Sequence, residues 1–523
     1  RPTRITPHSY NKISSGPPAR YRLPLQRVNL DKKDDGTSEL RQFTLGERRS
    51  KHPNKTVLLV GATGSGKSTL INSLVNFVMG VKFEDKVWFE VITDENKESQ
   101  AQSQTTAVSV YEVFGFEGKT VPYSLTIIDT PGFGDTRGIE YDDTVTKQLK
   151  DLFSISGGVD SIDAVGLVLK ATENRLDGNT AYIFNSLTSL FGKNMEQNIV
   201  ALMTHSDGFK PKDALNALKE AKVKCARDKM DNPVYFIFNN RQKEPIDSDD
   251  EENAERVFMD SNRAMKKFTG FLENAMSQSV TESVEVMDKR EQLTACIKNL
   301  MERVGTIEEK QKTIKTNQEM LEKYEKEIKE NENFEIEMEE VYKVVKPIHH
   351  HKNDKAVTCG NCEENCHHPC DHWCFWCRNI FKDEKCTVCK GRCSTDRHVR
   401  EKFIYETKTR TVKTTSKDIK AKYDESQKGM KTQTTLLEDL KFEMLELKQE
   451  KNKCLDDAFQ CIERLEKIAL NKDSASTCQH LDFLIKKMDE KGDTRKVDKL
   501  KSMKKRMNDS QKAAAKFNKK MKE

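Results

Sequence analysis

Residues 57–69 read Val-Leu-Leu-Val-Gly-Ala-Thr-Gly-Ser-Gly-Lys-Ser-Thr, in which Gly61, Gly66, Lys67 and Ser68 meet the pattern G-x-x-x-x-G-K-[ST]. A β-branched apolar run precedes the pattern, and apolar residues at helical spacing follow it (Leu70, Ile71, Leu74, Val75, Val78). Strand, glycine-rich loop and helix in that order narrow the fold to an α/β phosphate-loop domain. The glycines let the backbone curl until successive N–H groups converge on phosphate oxygens, and the helix N-terminus adds its dipole. Lys67 is expected to reach the β- and γ-phosphates, and the Ser68 hydroxyl to bind Mg²⁺. The expected phosphate-contacting set is Gly61, Gly64, Ser65, Gly66, Lys67, Ser68 and Thr69. A plain glycine turn before a helix would meet the pattern without the chemistry, but the flanking strand and helix argue against it.

Ile127-Ile128-Asp129-Thr130-Pro131-Gly132 closes an apolar strand that starts at Tyr123. Asp followed by Gly at the third position is the second half of a GTPase site: Asp129 would hold Mg²⁺ through water, and the Gly132 N–H would meet the γ-phosphate. Asp-Thr-Pro-Gly is also good turn chemistry, yet it stands about 60 residues after the phosphate loop, where the second half belongs. Between the two lies Ser103-Gln104-Thr105-Thr106. Two threonines compete there for the switch position that completes the Mg²⁺ shell, and Thr105 is favoured. The apolar strand Ile199 to Met203 leads into Thr204-His205-Ser206-Asp207, where a base-reading loop of the form [NT]-K-x-D belongs. Asp207 would accept from guanine, with His205 standing where Lys is commoner. A Ser-Asp helix cap is the other reading. Asn239 and Asn240 follow the last strand and are placed to line the base and ribose pocket. Strands alternating with helices predict a doubly wound, mostly parallel sheet with ligands at the strand carboxyl ends.

These motifs carry a family resemblance. Gly61 to Thr69, Asp129-Thr-Pro-Gly-Phe-Gly-Asp135, Thr204 to Asp207 and Phe238-Asn-Asn240 resemble, as a set, the septin-like and immunity-associated GTPases, including their large fish relatives. The resemblance covers somewhat under half of the chain. It implies GTP/GDP binding, slow hydrolysis, assembly through G domains and a setting in immunity. Phe133 stands where a Ras-like enzyme has the Gln that orients water, so hydrolysis is expected to be slow. Arg137 is a weak candidate for an arginine finger. A dimer partner could supply the missing group.

The second half is a different object. Leu293, Leu300, Ile307, Ile314, Leu321 and Ile328 recur every seven residues, with companions that start apolar (Ile297, Val304) and turn polar (Gln311, Gln318). Leu440, Leu447, Cys454, Cys461 and Ile468 repeat the spacing beside Leu437, Met444, Ala458 and Leu465. Sevenfold spacing with charged flanks reads as coiled coil. Strand-like alternation borders each segment inward (Phe334, Ile336, Met338; Phe403, Tyr405, Thr407). The expectation is an antiparallel helical stalk with a small module at its tip, two separately dimerising coils being the alternative. The module holds Cys359, Cys362, Cys366, Cys370, Cys374, Cys377, Cys386, Cys389 and Cys393, with His367, His368, His372 and His398 interleaved. Three C-x-x-C pairs let two thiolates from one turn grip a tetrahedral ion, so two or three structural Zn²⁺ are expected. The alternative, a disulfide cluster, fits poorly with a GTP-dependent switch in the reducing cytosol. Cys386, Cys389, Cys393 and His398 make the most self-contained quartet.

The expected layout is an N-terminal extension or linker (1–50), a GTPase domain (51–275), a first coiled coil (276–333), the zinc module with flanking strands (334–404), a second coiled coil (405–470) and a basic tail (471–523). A charged fraction of 33% against 35% hydrophobic suits elongated, solvated helices more than one compact core. From Lys486 onward, 15 Lys and Arg face six Asp and Glu. That tail could meet an acidic membrane surface or nucleic acid, though a solvated helical extension is the plainer reading. No apolar run approaches a membrane span. The chain starts at Arg1 without Met, so the lack of a targeting segment weighs little. Together these features predict a cytoplasmic, slow, Mg²⁺-dependent GTPase that self-associates through its G domain and coiled coil, with the zinc tip free to recruit a protein. The alternative is a zinc-tipped scaffold around a structural, unhydrolysed nucleotide.

Overall fold

The computed structural model describes residues 10–30, 40–48, 52–92, 107–134, 139–172, 178–246, 248–323, 335–348, 355–368, 380–415, 434–472 and 480–506, with isolated positions besides. Thr105, Arg137, Cys370, His372, Cys374 and Cys377 fall outside them. The chain divides into two compact units, one of residues 1–287, 465–481 and 501–523, the other of 288–464 and 482–500.

The first unit is built on eight strands: β1 (Gln26–Asn29), β2 (Leu40–Leu45), β3 (Asn54–Gly61), β4 (Val108–Val113), β5 (Ser124–Asp129), β6 (Ala164–Lys170), β7 (Ile199–Thr204) and β8 (Tyr235–Ile237). Their order is β8-β7-β6-β3-β5-β4-β2-β1. The five from β8 to β5 are parallel, β4 runs antiparallel to β5, and β1 antiparallel to β2. Alternation along the central strands sends side chains to both faces. Leu58 and Val60 of β3 join one buried cluster, with Val145, Leu149, Leu187 and Leu218 from α2 (Ile139–Ser154), α3 (Gly178–Thr188) and α4 (Lys212–Glu220). Val57 and Leu59 join the other, with Leu70, Leu74, Met265 and Phe268 from α1 (Lys67–Met79) and α5 (Glu251–Asn274). A strand segment buried on both faces must be apolar, which is why Val57–Val60 of β3 and Ile199–Met203 of β7 read as unbroken hydrophobic runs.

Much of the first 50 residues belongs to this unit. β1 and β2 extend its sheet, and Ala19–Arg22 pairs with Val87–Glu90 in a second small sheet. The chain also returns to it late. Leu470 N–H donates to the Phe191 carbonyl at 3.0 Å, and Arg506 pairs with Glu466 at 2.6 Å.

The second unit contains most of α6 (Thr281–Lys323) and α7 (Thr434–Ile468), a thirteen-residue β-ribbon, a small cysteine-rich sheet, and α8 (Leu481–Lys491) with most of α9 (Thr494–Arg506). The ribbon pairs Glu335–Pro347 with Phe403–Thr415, the two strands that alternation predicted. Leu293, Ile297, Leu300, Val304 and Ile307 of α6 are buried as the heptads require. Beyond them the buried stripe departs from the repeat. Thr313 and Asn317 are buried, while Gln311 is exposed and Ile314 half-exposed. The reason is a change of neighbour: Asn317 exchanges two hydrogen bonds of 3.1 Å with the backbone of Glu339, so this end of α6 packs on the ribbon.

The tail is not a bare solvated extension in this region. Leu481, Leu484, Met488, Val497, Leu500 and Met503 are buried. Its lysines are paired as well: Lys491 and Lys496 each meet Asp456 at 2.6 Å, and Lys499 meets Glu463 at 2.8 Å. Among the described residues, no helix is long and apolar enough to cross a membrane.

Candidate functional site

The nucleotide-site residues gather at the carboxyl ends of the parallel strands. β3 ends at Gly61, β5 at Asp129, β6 at Lys170 and β7 at Thr204. Gly66 precedes α1 with φ +89°, and Gly64 has φ +72°, both in the left-handed region that a side chain resists. The Lys67 ammonium donates to the Gly61 and Ala62 carbonyls, each at 3.1 Å, beneath the loop it follows. Lys67 is only 7% exposed. Burial lowers its pKa to about 8, against the pull of the Asp129 carboxylate, which raises it. Ser68 and Thr69 are half-buried on the first turn of α1, and Ser65 is buried inside the loop.

The two phosphate-facing loops are zipped together. Phe133 N–H donates to the Gly61 carbonyl at 3.1 Å, and Thr63 N–H to the Phe133 carbonyl at 3.3 Å. Gly132 lies so close that an added Cβ would stand 2.4 Å from Thr63 Oγ1 and 2.5 Å from its Cα. Gly132→Ala is therefore expected to force the loops apart, costing about 1–3 kcal/mol in thermal unfolding and weakening nucleotide binding. Unchanged stability and affinity would rule out that packing. Phe133 itself is buried in the core, so its side chain cannot orient a water.

Two residues that motif reading did not find hold the loop after Gly132. Asp142 accepts from Gly134 N–H through both oxygens at 3.1 Å and from the Tyr182 hydroxyl at 3.0 Å. Burial, followed by the Asp142 charge, pushes the Tyr182 pKa up, so the phenol stays a donor. Asp142 lies within a helix and Tyr182 comes 40 residues later, so no local pattern marks the pair.

Thr204 braces the phosphate loop: its hydroxyl donates to the Ser65 carbonyl at 2.6 Å and its side chain flanks Gly66. His205 follows with φ +53° and is exposed. Desolvation, then Lys170, lowers its pKa, so this ring is neutral where a Lys would be charged. Asp207 is exposed and accepts the Phe209 N–H at 3.0 Å. Asn239 and Asn240 are half-buried beyond β8, with the Asn239 carbonyl accepting from Ser261 at 2.6 Å. The Ser206 N–H donates to the Phe238 carbonyl at 3.1 Å, which ties the loops after β7 and β8 together.

The cysteines converge in the second unit. Ala356–Cys359 pairs with Glu364–His367 on one side and with His398–Glu401 on the other, with Cys359 opposite His398. Two groups form: Cys359, Cys362, Cys389 and Cys393, and Cys366, Cys386, Cys389 and His398. Within each, the ligand atoms lie within 4.8 Å of one another. The expected quartet of Cys386, Cys389, Cys393 and His398 is thus divided between two groups. Strand pairing overrides sequence proximity, bringing the first C-x-x-C and Cys366 against the third, Cys386 and Cys389. All the described cysteines are free thiols.

The donor set suits zinc. His398 Nδ1 lies 2.9 Å from the Ser394 carbonyl, which fixes the proton there. Its Nε2 is buried with no hydrogen-bond partner, as a metal-facing nitrogen would be. Hydrogen bonds from the Cys366 thiol, then from that of Cys389, lower the Cys386 pKa, and the backbone N–H groups of Cys389 and Val388, at 3.4 and 3.3 Å from its Sγ, add to the effect. The same sharing raises the Cys366 pKa. The module lies along α7, not past its end: Lys390 meets Glu450 at 3.6 Å and Glu446 at 3.8 Å, and Arg392 meets Asp457 at 3.7 Å.

Residues 55–285 match the family model described as the AIG1 family. Among solved structures, the chain is similar to Toc33 from Arabidopsis thaliana in complex with GDP and Mg²⁺, at 18% identity over 43% of this chain and 86% of that one, with a TM-score of 0.30. It is similar to Toc33 in complex with Mg²⁺ and GMPPNP at 16% identity over 43% and 88%, with a TM-score of 0.29. It is also similar to the translation elongation factor SelB from Methanococcus maripaludis in complex with a GTP analogue, at 13% identity over 44% and 36%, with a TM-score of 0.23. Comparison with curated proteins finds no match.

Proposed function

Residues 55–285 are an AIG1 family domain on a phosphate-loop GTPase fold, and from that premise we propose that the chain binds GTP and GDP with Mg²⁺ and hydrolyses GTP slowly. The observation that carries the proposal is the buried Lys67, opposed by Asp129 and set under a loop whose Gly66 has positive φ. A cation kept this far from water is stabilised when phosphate oxygens replace the carbonyls it now contacts. Ser68, Asp129 and Thr105 would hold Mg²⁺, which supplies charge neutralisation between the β- and γ-phosphates. The buried Phe133 leaves water orientation to another group, so turnover depends on a second G domain supplying it. Helices of the second unit add self-association, and the zinc module a surface for a protein partner.

The decisive measurement is GTP turnover against protein concentration. A specific rate that rises with concentration supports the assembling GTPase. Binding without turnover at any concentration replaces it with the scaffold reading, in which nucleotide is a structural ligand. Base choice is tested separately. Asp207→Asn is expected to weaken GTP binding by about 1–3 kcal/mol, because an amide replaces a charge-assisted acceptor. ATP binding as tight as GTP binding in the unaltered chain would remove Thr204 to Asp207 from the base-reading role.

A further inference from the structure

Both cysteine groups claim the same sulfur. Cys359, Cys362 and Cys393 surround Cys389 on one side, and Cys366, Cys386 and His398 on the other. Among the described residues, each group without Cys389 has three ligands, one short of the four that a structural zinc takes. We infer that the module holds two zinc ions bridged by the Cys389 thiolate. This rests on the reading of the module as zinc-binding, and adds to it the number of ions, their ligands and the bridge.

The geometry supports both halves. Cys362 Sγ and Cys393 Sγ are 3.6 Å apart, close to the edge of about 3.8 Å for a tetrahedron with Zn–S near 2.3 Å. Gly391 gives these sulfurs room, since a Cβ there would stand 3.0 Å from each. On the other side, Cys366, Cys386 and His398 are buried, and His398 Nε2 has no hydrogen-bond partner. A single ion in the first group would leave these three buried and unligated. A single ion in the second would leave Cys359, which is buried, and Cys362 and Cys393, which are half-buried, unligated. Either outcome buries polar groups at a cost that a second ion removes. The bridging sulfur has the capacity: a thiolate has three lone pairs, one facing the Cys393 N–H at 3.3 Å and two left for metal. The Gly391 N–H on Cys362 at 3.3 Å, with those on Cys386, offsets the negative charge that six thiolates leave on two divalent ions.

The test uses the full chain with Cys370, Cys374 and Cys377 changed to Ser, so that the module's thiolates are the six above. Metal-free protein is loaded with Co²⁺, either alone or as a trace in excess Zn²⁺. The expected result is two ions per chain. The electron paramagnetic signal per cobalt should fall severalfold on going from trace to full cobalt, because a bridging thiolate couples the two spins. Undiminished signal with two ions bound overturns the bridge and leaves the zinc reading intact. One ion per chain overturns the pair, and no tightly bound ion overturns the zinc reading itself. Cys389→Ser should lose both ions and Cys359→Ser only one, with GTP binding as the check that the first unit stays folded. Loss of only one ion in Cys389→Ser also overturns the bridge.

Discussion

Lys67→Ala is expected to weaken GTP binding by about 3 kcal/mol, on the order of 100-fold, in a titration with labelled nucleotide. The β- and γ-phosphates carry most of the ligand's charge, and Lys67 is the buried cation at the loop. A surface lysine would be replaceable by solvent ions, but one 7% exposed is not. The same burial predicts a pH dependence. In the free chain the Lys67 pKa is lowered to about 8, chiefly by desolvation. Phosphate favours the charged form and raises that pKa, so binding takes up a proton once the pH passes about 8. Affinity should hold below that point and fall above it, approaching tenfold per pH unit. The Lys67→Ala variant, which retains the nucleotide's own ionisations, should lack this fall. Affinity within about twofold of the unaltered chain would overturn the assignment of the loop, and an equal pH slope in both proteins would remove Lys67 as its source.

The parts of this site that the sequence revealed are those whose chemistry is local. The phosphate loop needs its glycines, Lys67 and Ser68 at fixed offsets on one strand–helix junction, so pattern and structure coincide. Asp129 is legible for the same reason, ending an apolar strand. The Asp142–Gly134–Tyr182 contact is not, because it exists only after α2 and α3 pack on the same sheet face. In the second unit, seven-residue spacing fixed a helix but not its neighbours. The change from Val304 to the polar Gln311 marked the end of an apolar seam. That Thr313 and Asn317 would turn inward depends on the ribbon, which the heptad count does not contain. The cysteines make the point most clearly. C-x-x-C spacing marked the candidate ligands, yet the pairing of Cys359 with His398 across two strands decides which side chains meet. The N-terminal strands were obscured by a composition rich in Pro, Ser and Gly, since edge strands such as β1 draw their order from β2 and carry little hydrophobic signal of their own.

Chelation of zinc should unfold residues 355–368 and 380–401 and leave GTP binding unchanged, the largest effect expected for this chain. The buried cluster of the module consists of Val357, Cys359, Cys366, Ile380, Cys386 and Cys389, so four of its six members are cysteines. Burying Val357 and Ile380 contributes about 5 kcal/mol at most. Ordering the module costs about 1.5 kcal/mol for each of its residues, a total several times larger. Hydrogen bonds add to the favourable side, but three tiny strand pairings cannot close that gap. Metal affinity can, at on the order of 10 kcal/mol per ion. Hydrogen exchange is the appropriate measurement, because it reports protection segment by segment. With chelator, amides of residues 356–367 and 385–401 should lose protection, while those of β3, β6 and β7 keep theirs. Those strands lie in the other compact unit. GTP affinity measured in the same samples should stay within about twofold. Full protection of 356–367 after zinc is removed would show that the module folds without metal, and less than one zinc per chain in fresh reduced protein would show that it never holds it.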